Sequence, residues 1–302
     1  MQIFAGTSGF SYPEWCGRFY PAGTPGSAML GYYATRLPTV EINNTFYRMP
    51  NQETVRAWGE QVPPSFCFAV KAPRRITHSK KLADVADDVL HLFRVIDVLG
   101  DQLGPVLFQL PPFLKKDVGV LQAFLSVLPP NRRAAVEFRH PSWFTDEVYR
   151  VLSLHNVALV GGDLEEDEKS PPLVATANFG YLRLRRMDYA PAGIADWGAR
   201  IAEQRWQSVY AYLKHEILGP LFAEALLATV NGQPMADLSA VRASMPPPSQ
   251  KPESARAPRK GKKVDPSEGD SPAARTSKSP AARASKSPEG RPSKAPGKSR
   301  KP

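Results

Sequence analysis

AAVEFRHPSW, Ala134–Trp143, opens on three apolar residues and ends on a cluster of polar and aromatic ones. In an extended chain alternate side chains share a face, so Glu137 and Arg139 point one way and Phe138 the other. The short apolar run before them has the length and composition of a strand covered on both faces. The same figure recurs along the chain. Strands are expected at Gln2–Ser8, Thr39–Asn44, Cys67–Ala72, Pro105–Leu110, Ala134–Arg139, Val157–Gly162, Tyr181–Arg185 and Ser208–Lys214.

Helical spacing fills most of the gaps, at Gln52–Gln61, Leu82–Leu99, Val118–Leu128, Thr145–His155, Ile194–Arg205 and Pro220–Val230. The connection after the first strand reads as irregular. The acidic, proline-bearing segment before Tyr181 reads as nearly free of helix. Eight strand–crossover units in this length describe an α/β protein, a TIM-like (β/α)8 barrel with one eroded crossover helix. A doubly wound open sheet is the alternative. It needs fewer strands and usually a glycine-rich phosphate turn, and Gly6 and Gly9 lack the third glycine and following helix of such a turn.

Composition divides the chain in two. All 29 aromatic residues precede Asn231, whereas 13 of the 31 prolines follow it. A segment without aromatics cannot bury enough apolar surface to offset its ordering entropy. Residues 1–232 are therefore expected to form the barrel domain, and 233–302 a disordered Pro/Ser/Ala/Lys/Arg-rich basic tail. Within the tail an eight-residue unit repeats as SPAARTSK (Ser271–Lys278), SPAARASK (Ser279–Lys286) and SPEGRPSK (Ser287–Lys294). The net charge of +10 resides wholly in residues 251–302, which carry 15 basic and 5 acidic residues, so residues 1–250 are neutral. A cationic tail suits non-specific contact with nucleic acid by counterion release. It also suits another anionic surface, and phosphorylation of its Ser-Pro units would switch its charge.

No run of 18 apolar residues marks a membrane span. MQIFAGTSGF at the start has neither the basic nor the apolar region of a secretory signal. Two cysteines, Cys16 and Cys67, cannot form a disulfide framework, so a cytoplasmic setting is expected.

The strand ends carry the chemistry. Thr7 and Ser8, Glu41 and Asn43, Lys71, Gln109, Glu137 and Arg139, Asp163, and Arg183 and Arg185 stand at or just past successive strand termini. In a barrel these ends meet at one mouth, where barrel enzymes hold their active sites. Glu41, Lys71, Glu137 and His140 are the candidate catalytic residues: two carboxylates, an amine and an imidazole for proton transfer. Candidate substrate-binding residues are Asn43, Gln109, Arg139, Arg183 and Arg185, with Tyr12, Trp15, Tyr47, His78 and Trp143 in the adjoining loops. Arginines suit a planar anion, and aromatic faces suit a ring. An anionic small molecule, phosphorylated or sugar-containing, is the expected substrate, in hydrolase- or lyase-type acid–base chemistry. The competing readings are a structural salt-bridge network of Glu41, Lys71, Glu137, Arg139 and Arg183, and a non-catalytic ligand- or nucleic-acid-binding module placed by the tail. His140, His215, Glu41 and Glu137 could be imagined around a metal, but no ligand spacing supports one, and no motif names a cofactor. His91 and His155 lie on or at the end of helices and read as surface or capping residues.

Five blocks in order, GTSGFSYPEW (Gly6–Trp15), VEINNTFYRMP (Val40–Pro50), FAVKAPRRITH (Phe68–His78), GPVLFQLPPF (Gly104–Phe113) and EFRHPSW (Glu137–Trp143), resemble the YecE-like family, known as domain of unknown function 72. The resemblance runs through about residues 1–230. It implies a TIM-barrel-like fold and no settled activity. The end of the domain departs from the commoner family pattern: Arg185 stands where a histidine is usual, and Lys214-His215-Glu216 where Asn-Asn-Asp is usual.

Overall fold

The computed structural model describes residues 1–164, 170–214, 217–235, 237 and 239. Eight parallel strands close into a barrel in simple order, each hydrogen-bonded to its neighbours in sequence and β8 to β1. They are β1 (Gln2–Ser8), β2 (Thr39–Ile42), β3 (Cys67–Lys71), β4 (Leu103–Gln109), β5 (Ala134–Glu137), β6 (Ala158–Asp163), β7 (Phe179–Leu184) and β8 (Ser208–Leu213). The helices between them are α1 (Gly26–Arg36), α2 (Gln52–Glu60), α3 (Ala86–Ile96), α4 (Val118–Ser126), α5 (Asp146–Leu154), α6 (Pro191–Ala202) and α7 (Gly219–Val230). The expected barrel is therefore the observed one. No described residue between β6 and β7 is helical, as the proline-bearing sequence there suggests.

Local chemistry starts several helices. Asn51 accepts from the Thr54 N–H at 2.8 Å ahead of α2, and Asp117 from the Val120 N–H at 3.0 Å ahead of α4. Pro191 and Pro220 occupy the first turns of α6 and α7, where no amide donor is needed. The connection after β1 is the exception to the sequence reading. It is irregular as far as Pro25, but then forms α1. Gly26 and Gly31 weaken the intrinsic helix signal there. Burial of Met29, Leu30 and Tyr33 compensates. Tyr33 also receives the Thr7 N–H and donates to the Thr39 carbonyl, both at 2.9 Å, pinning the helix to β1 and β2.

Two apolar layers result. The larger lies between strands and helices. The smaller fills the barrel with Cys67, Ala69, Leu107, Ala135, Val160, Phe179, Tyr181, Tyr210 and Tyr212. Small residues on β3 and β5 face large aromatics on β7 and β8, which is how a closed barrel fills its interior without voids. Tyr212 Oη lies 2.9 Å from Thr39 Oγ1, so its buried hydroxyl is satisfied. Above this plug the inward positions turn polar. Among the described residues no helix is long and apolar enough to cross a membrane. The tail reading for 233–302 falls, apart from 233–235, 237 and 239, outside the described residues.

Candidate functional site at the barrel mouth

Glu41, next to last in β2, has no solvent exposure. Its Oε1 accepts from Ser8 Oγ at 2.7 Å, Asn43 Nδ2 at 2.9 Å and Arg183 Nη2 at 2.8 Å, and its Oε2 from the Tyr181 hydroxyl at 2.8 Å. Glu137 ends β5. Its Oε2 accepts from Gln109 Nε2 and Arg183 Nη1, both at 2.7 Å, and its Oε1 from Arg139 Nε at 3.2 Å and Arg185 Nη2 at 2.5 Å. Arg183, on β7, therefore spans the barrel between two carboxylates from non-adjacent strands. Its Nε–H is buried and has no hydrogen-bond partner among the described residues.

Burial alone would push both carboxyls up. The guanidiniums outweigh it: Arg183, with donors from Ser8, Asn43 and Tyr181, holds Glu41 below the usual range. Arg183, Arg185 and Arg139 likewise hold Glu137 well below it. Both groups are anions at neutral pH.

Lys71, at the end of β3, stands apart from this pairing. Its Nζ donates to Gln109 Oε1 at 2.8 Å and sits 4.3 Å above the centre of the Phe46 ring. No carboxylate lies within ion-pair distance of it among the described residues. Burial, then repulsion by Arg183, lowers its pKa to about 8 despite the attraction of Glu41 and Glu137. His78 presents its ring edge-on to Phe46 at 4.9 Å and bonds Thr77 Oγ1 through Nδ1 at 2.9 Å. Burial and the cations Lys71, Arg74 and Arg139 lower its pKa, so it is neutral at pH 7.

Asp163 closes the ring from β6. Its Oδ1 receives the Arg185 N–H at 2.8 Å and the Tyr189 hydroxyl at 2.7 Å; its Oδ2 receives Trp197 Nε1 at 3.0 Å and faces Arg186 at 3.5 Å. Among the described residues six cations thus gather at the mouth: Lys71, Arg139, Arg183, Arg185, Arg186 and Lys214. The buried carboxylates described among them are three: Glu41, Glu137 and Asp163. The pKa of Lys214 is lowered by burial and then by Arg183, Arg185 and Arg139, against the attraction of Glu41. Against Glu137, Arg183 and Arg185 a cavity of about 670 Å³ opens toward β6.

Glu41, Asn43, Lys71, Gln109, Glu137, Arg139, Arg183 and Arg185 thus converge. Tyr12 lies at the edge, its hydroxyl donating to the Ser8 carbonyl at 2.7 Å. Other expected site residues do not join them. Trp15 is buried against Tyr12, Phe19 and Tyr20. Trp143 stacks on Phe138 at 4.4 Å and donates Nε1–H to the Leu114 carbonyl at 2.7 Å. Both indoles serve the core, because the loops that bear them fold back onto the barrel. His140 caps a single 3-10 turn, its Nδ1 accepting from the Ser142 N–H at 3.2 Å. Tyr47 points to solvent, 83% exposed. His215 and Glu216 lie outside the described residues. Among the described residues no three His, Cys, Asp or Glu side chains converge as a metal cradle. Tyr181 was not singled out in the sequence, although strand parity places it on the face of Arg183. The partners of Asp163 carried no such signal.

Comparison with known proteins agrees with the barrel. Residues 144 in number align at 32% identity with the UPF0759 protein YecE of Escherichia coli K12, covering 47% of this chain and 50% of that protein. The UPF0759 protein YunF of Bacillus subtilis aligns at 27% over 157 residues, 49% of this chain and 54% of that protein. The chain therefore spans about half the length of these curated relatives. A DUF72 family protein from Thermotoga maritima superposes with a TM-score of 0.67 and 25% identity, covering 76% of this chain and all of that one. One from Enterococcus faecalis gives 0.63 and 19%, covering 76% and 96%, and shows likeness of fold alone. The family described as "Protein of unknown function DUF72" matches residues 4–248, and the chain belongs to it.

Proposed function

We propose that this protein binds a small anionic substrate, phosphorylated or otherwise acidic, at the C-terminal mouth of its barrel, and carries out hydrolase- or lyase-type acid–base chemistry on it. One observation carries the reading: among the described residues, six cations at the mouth meet three buried carboxylates, and an anion is a ligand that complements them. The unpartnered Nε–H of Arg183 adds a buried donor.

Roles divide by charge. Glu41 and Glu137, both held ionised, are poor proton donors at neutral pH. Their part is to fix Arg183, and through it the geometry of the mouth. Arg139 and Arg185, which line the cavity, face the anion. Lys71, with its pKa near 8, is the group whose proton moves in the physiological range. Neutral His78, on the same Phe46 ring, is placed to orient the substrate. Two free cysteines, one half-buried and one buried, support a cytoplasmic setting.

The test is a turnover screen of phosphorylated and acidic compounds. Lys71→Met should reduce any turnover found by about 10²–10⁴-fold, the usual worth of a positioned acid–base group. Unchanged turnover in that variant removes Lys71 from the chemistry. A second reading rests on the ten excess charges of residues 251–302: a non-catalytic module held on nucleic acid by its tail. In that reading the full-length chain binds mixed-sequence DNA with a steep salt dependence, and Lys71→Met does not alter it.

A further inference from the structure

We propose that the substrate of this mouth is an anion bearing a flat apolar group rather than a polyhydroxylated sugar; the inference rests on the anion reading above. The lining of the cavity beside β6 is of two kinds. Glu137, Arg139, Asp163, Ser170, Arg183 and Arg185 are polar. Phe138, Pro141, Phe144, Val160, Leu164 and Pro171 are apolar.

Among the described lining residues, the hydrogen-bonding capacity of the uncharged and acidic side chains is largely spent. Of the polar lining side chains, Asp163 is engaged by Tyr189, Trp197 and the Arg185 N–H. Glu137 accepts four bonds, from Gln109, Arg183, Arg139 and Arg185. Ser170 already accepts the Leu164 N–H at 3.0 Å and has one hydroxyl proton to offer. Unspent capacity is concentrated in the guanidiniums, which suit a charged oxygen. A sugar placed here would bury several hydroxyls against proline and phenylalanine. Each unmatched hydroxyl weakens binding by about tenfold, the ordinary cost of an unpaired buried polar group. An apolar ring in the same volume gains from every carbon it removes from water. The half-buried Phe144 and the proline faces give such a ring flat surfaces to lie against. A volume of about 670 Å³ admits a ring with its anionic group and leaves room to spare.

The experiment titrates the full-length protein calorimetrically with three probes at one ionic strength: inorganic phosphate, phenyl phosphate and glucose 6-phosphate. Phenyl phosphate is expected to bind at least about tenfold more tightly than either of the others. Phe144→Ser should bring the phenyl-to-inorganic ratio close to one, and Leu164→Asn should do the same should the first variant fold poorly. Glucose 6-phosphate binding as well as phenyl phosphate, or a ratio indifferent to both variants, overturns the inference while leaving the anion site standing. Inorganic phosphate affinity unmoved by Arg185→Met, or no binding of any probe, overturns the anion reading and this inference with it.

Discussion

Arg183 Nη2 lies 2.8 Å from Glu41 Oε1, across a chain separation of 142 residues and across the inside of the barrel. The other terminal nitrogen of the same guanidinium reaches Glu137. One side chain therefore bridges two buried carboxylates; it is the guanidinium that pairs with Glu41, whereas Glu137 is also met by Arg139 and Arg185. Arg183→Met should lower stability by about 3–5 kcal/mol at pH 7, the usual penalty for breaking a buried pair from one side. Denaturant unfolding checks it. A loss below about 1 kcal/mol would mean that Arg185 and Arg139 carry the load instead.

Acid should unmake the mouth in a defined direction. Glu41 and Glu137 both have folded pKa values below the ordinary 4.5. A depressed carboxylate contributes stability that is full above its unfolded pKa and is lost as pH falls through the folded value. The contribution of these two carboxylates is therefore expected to be complete above about pH 5.5 and to decline below about pH 4.5. In Glu137→Gln that decline should be shallower, because one of the two protonations is gone. Identical acid limbs in the two proteins would contradict the assignment.

Lys71 titrates the opposite way. Its ordinary value of 10.5 falls to about 8 in the fold. The unfolded chain holds this proton more strongly between those limits, so stability should rise with pH across them. Lys71→Met removes that penalty. It is expected to melt higher than the parent at pH 7 and to lose the advantage near pH 10. Amine labelling across pH should show Lys71 reacting with a midpoint near 8, ahead of the surface lysines. A midpoint above 10 would show it to be an ordinary solvated amine.

Gly162 pairs with Arg183 in the β6–β7 register, with φ at +147°. A Cβ there would stand 2.1 Å from the Arg183 carbonyl oxygen. Gly162→Ala should lose about 1–3 kcal/mol from backbone strain alone, and more from the clash. Gly193, inside α6 with nothing within 4 Å of its Cβ position, is the contrast. Gly193→Ala should gain up to about 1 kcal/mol. Thermal melts of the two variants should move apart, and a common direction would refute the comparison.

The barrel was legible in the sequence because its signal is local. β1 matches its expected limits, and the other strands fall within two residues of theirs at each end. Polar side chains at the strand ends were equally legible, since parity fixes the face of Glu41, Glu137 and Arg183 from their neighbours alone. α1 was missed because Gly26 and Gly31 dilute its periodicity, and burial of Tyr33 supplies what propensity does not.

Tertiary structure decided who meets whom. Parity cannot say that Arg183 will take both glutamates, or that Lys71 will be left with Gln109 and a phenyl ring. Those outcomes depend on barrel closure and stagger, which bring ends remote in sequence to one rim. It likewise sent Trp15 and Trp143 into the core and His140 to a local turn, because a loop aromatic is buried by whatever packs over it. Short-range periodicity encodes the scaffold. Charge pairing in a low-dielectric mouth is encoded only by the positions of all the partners together.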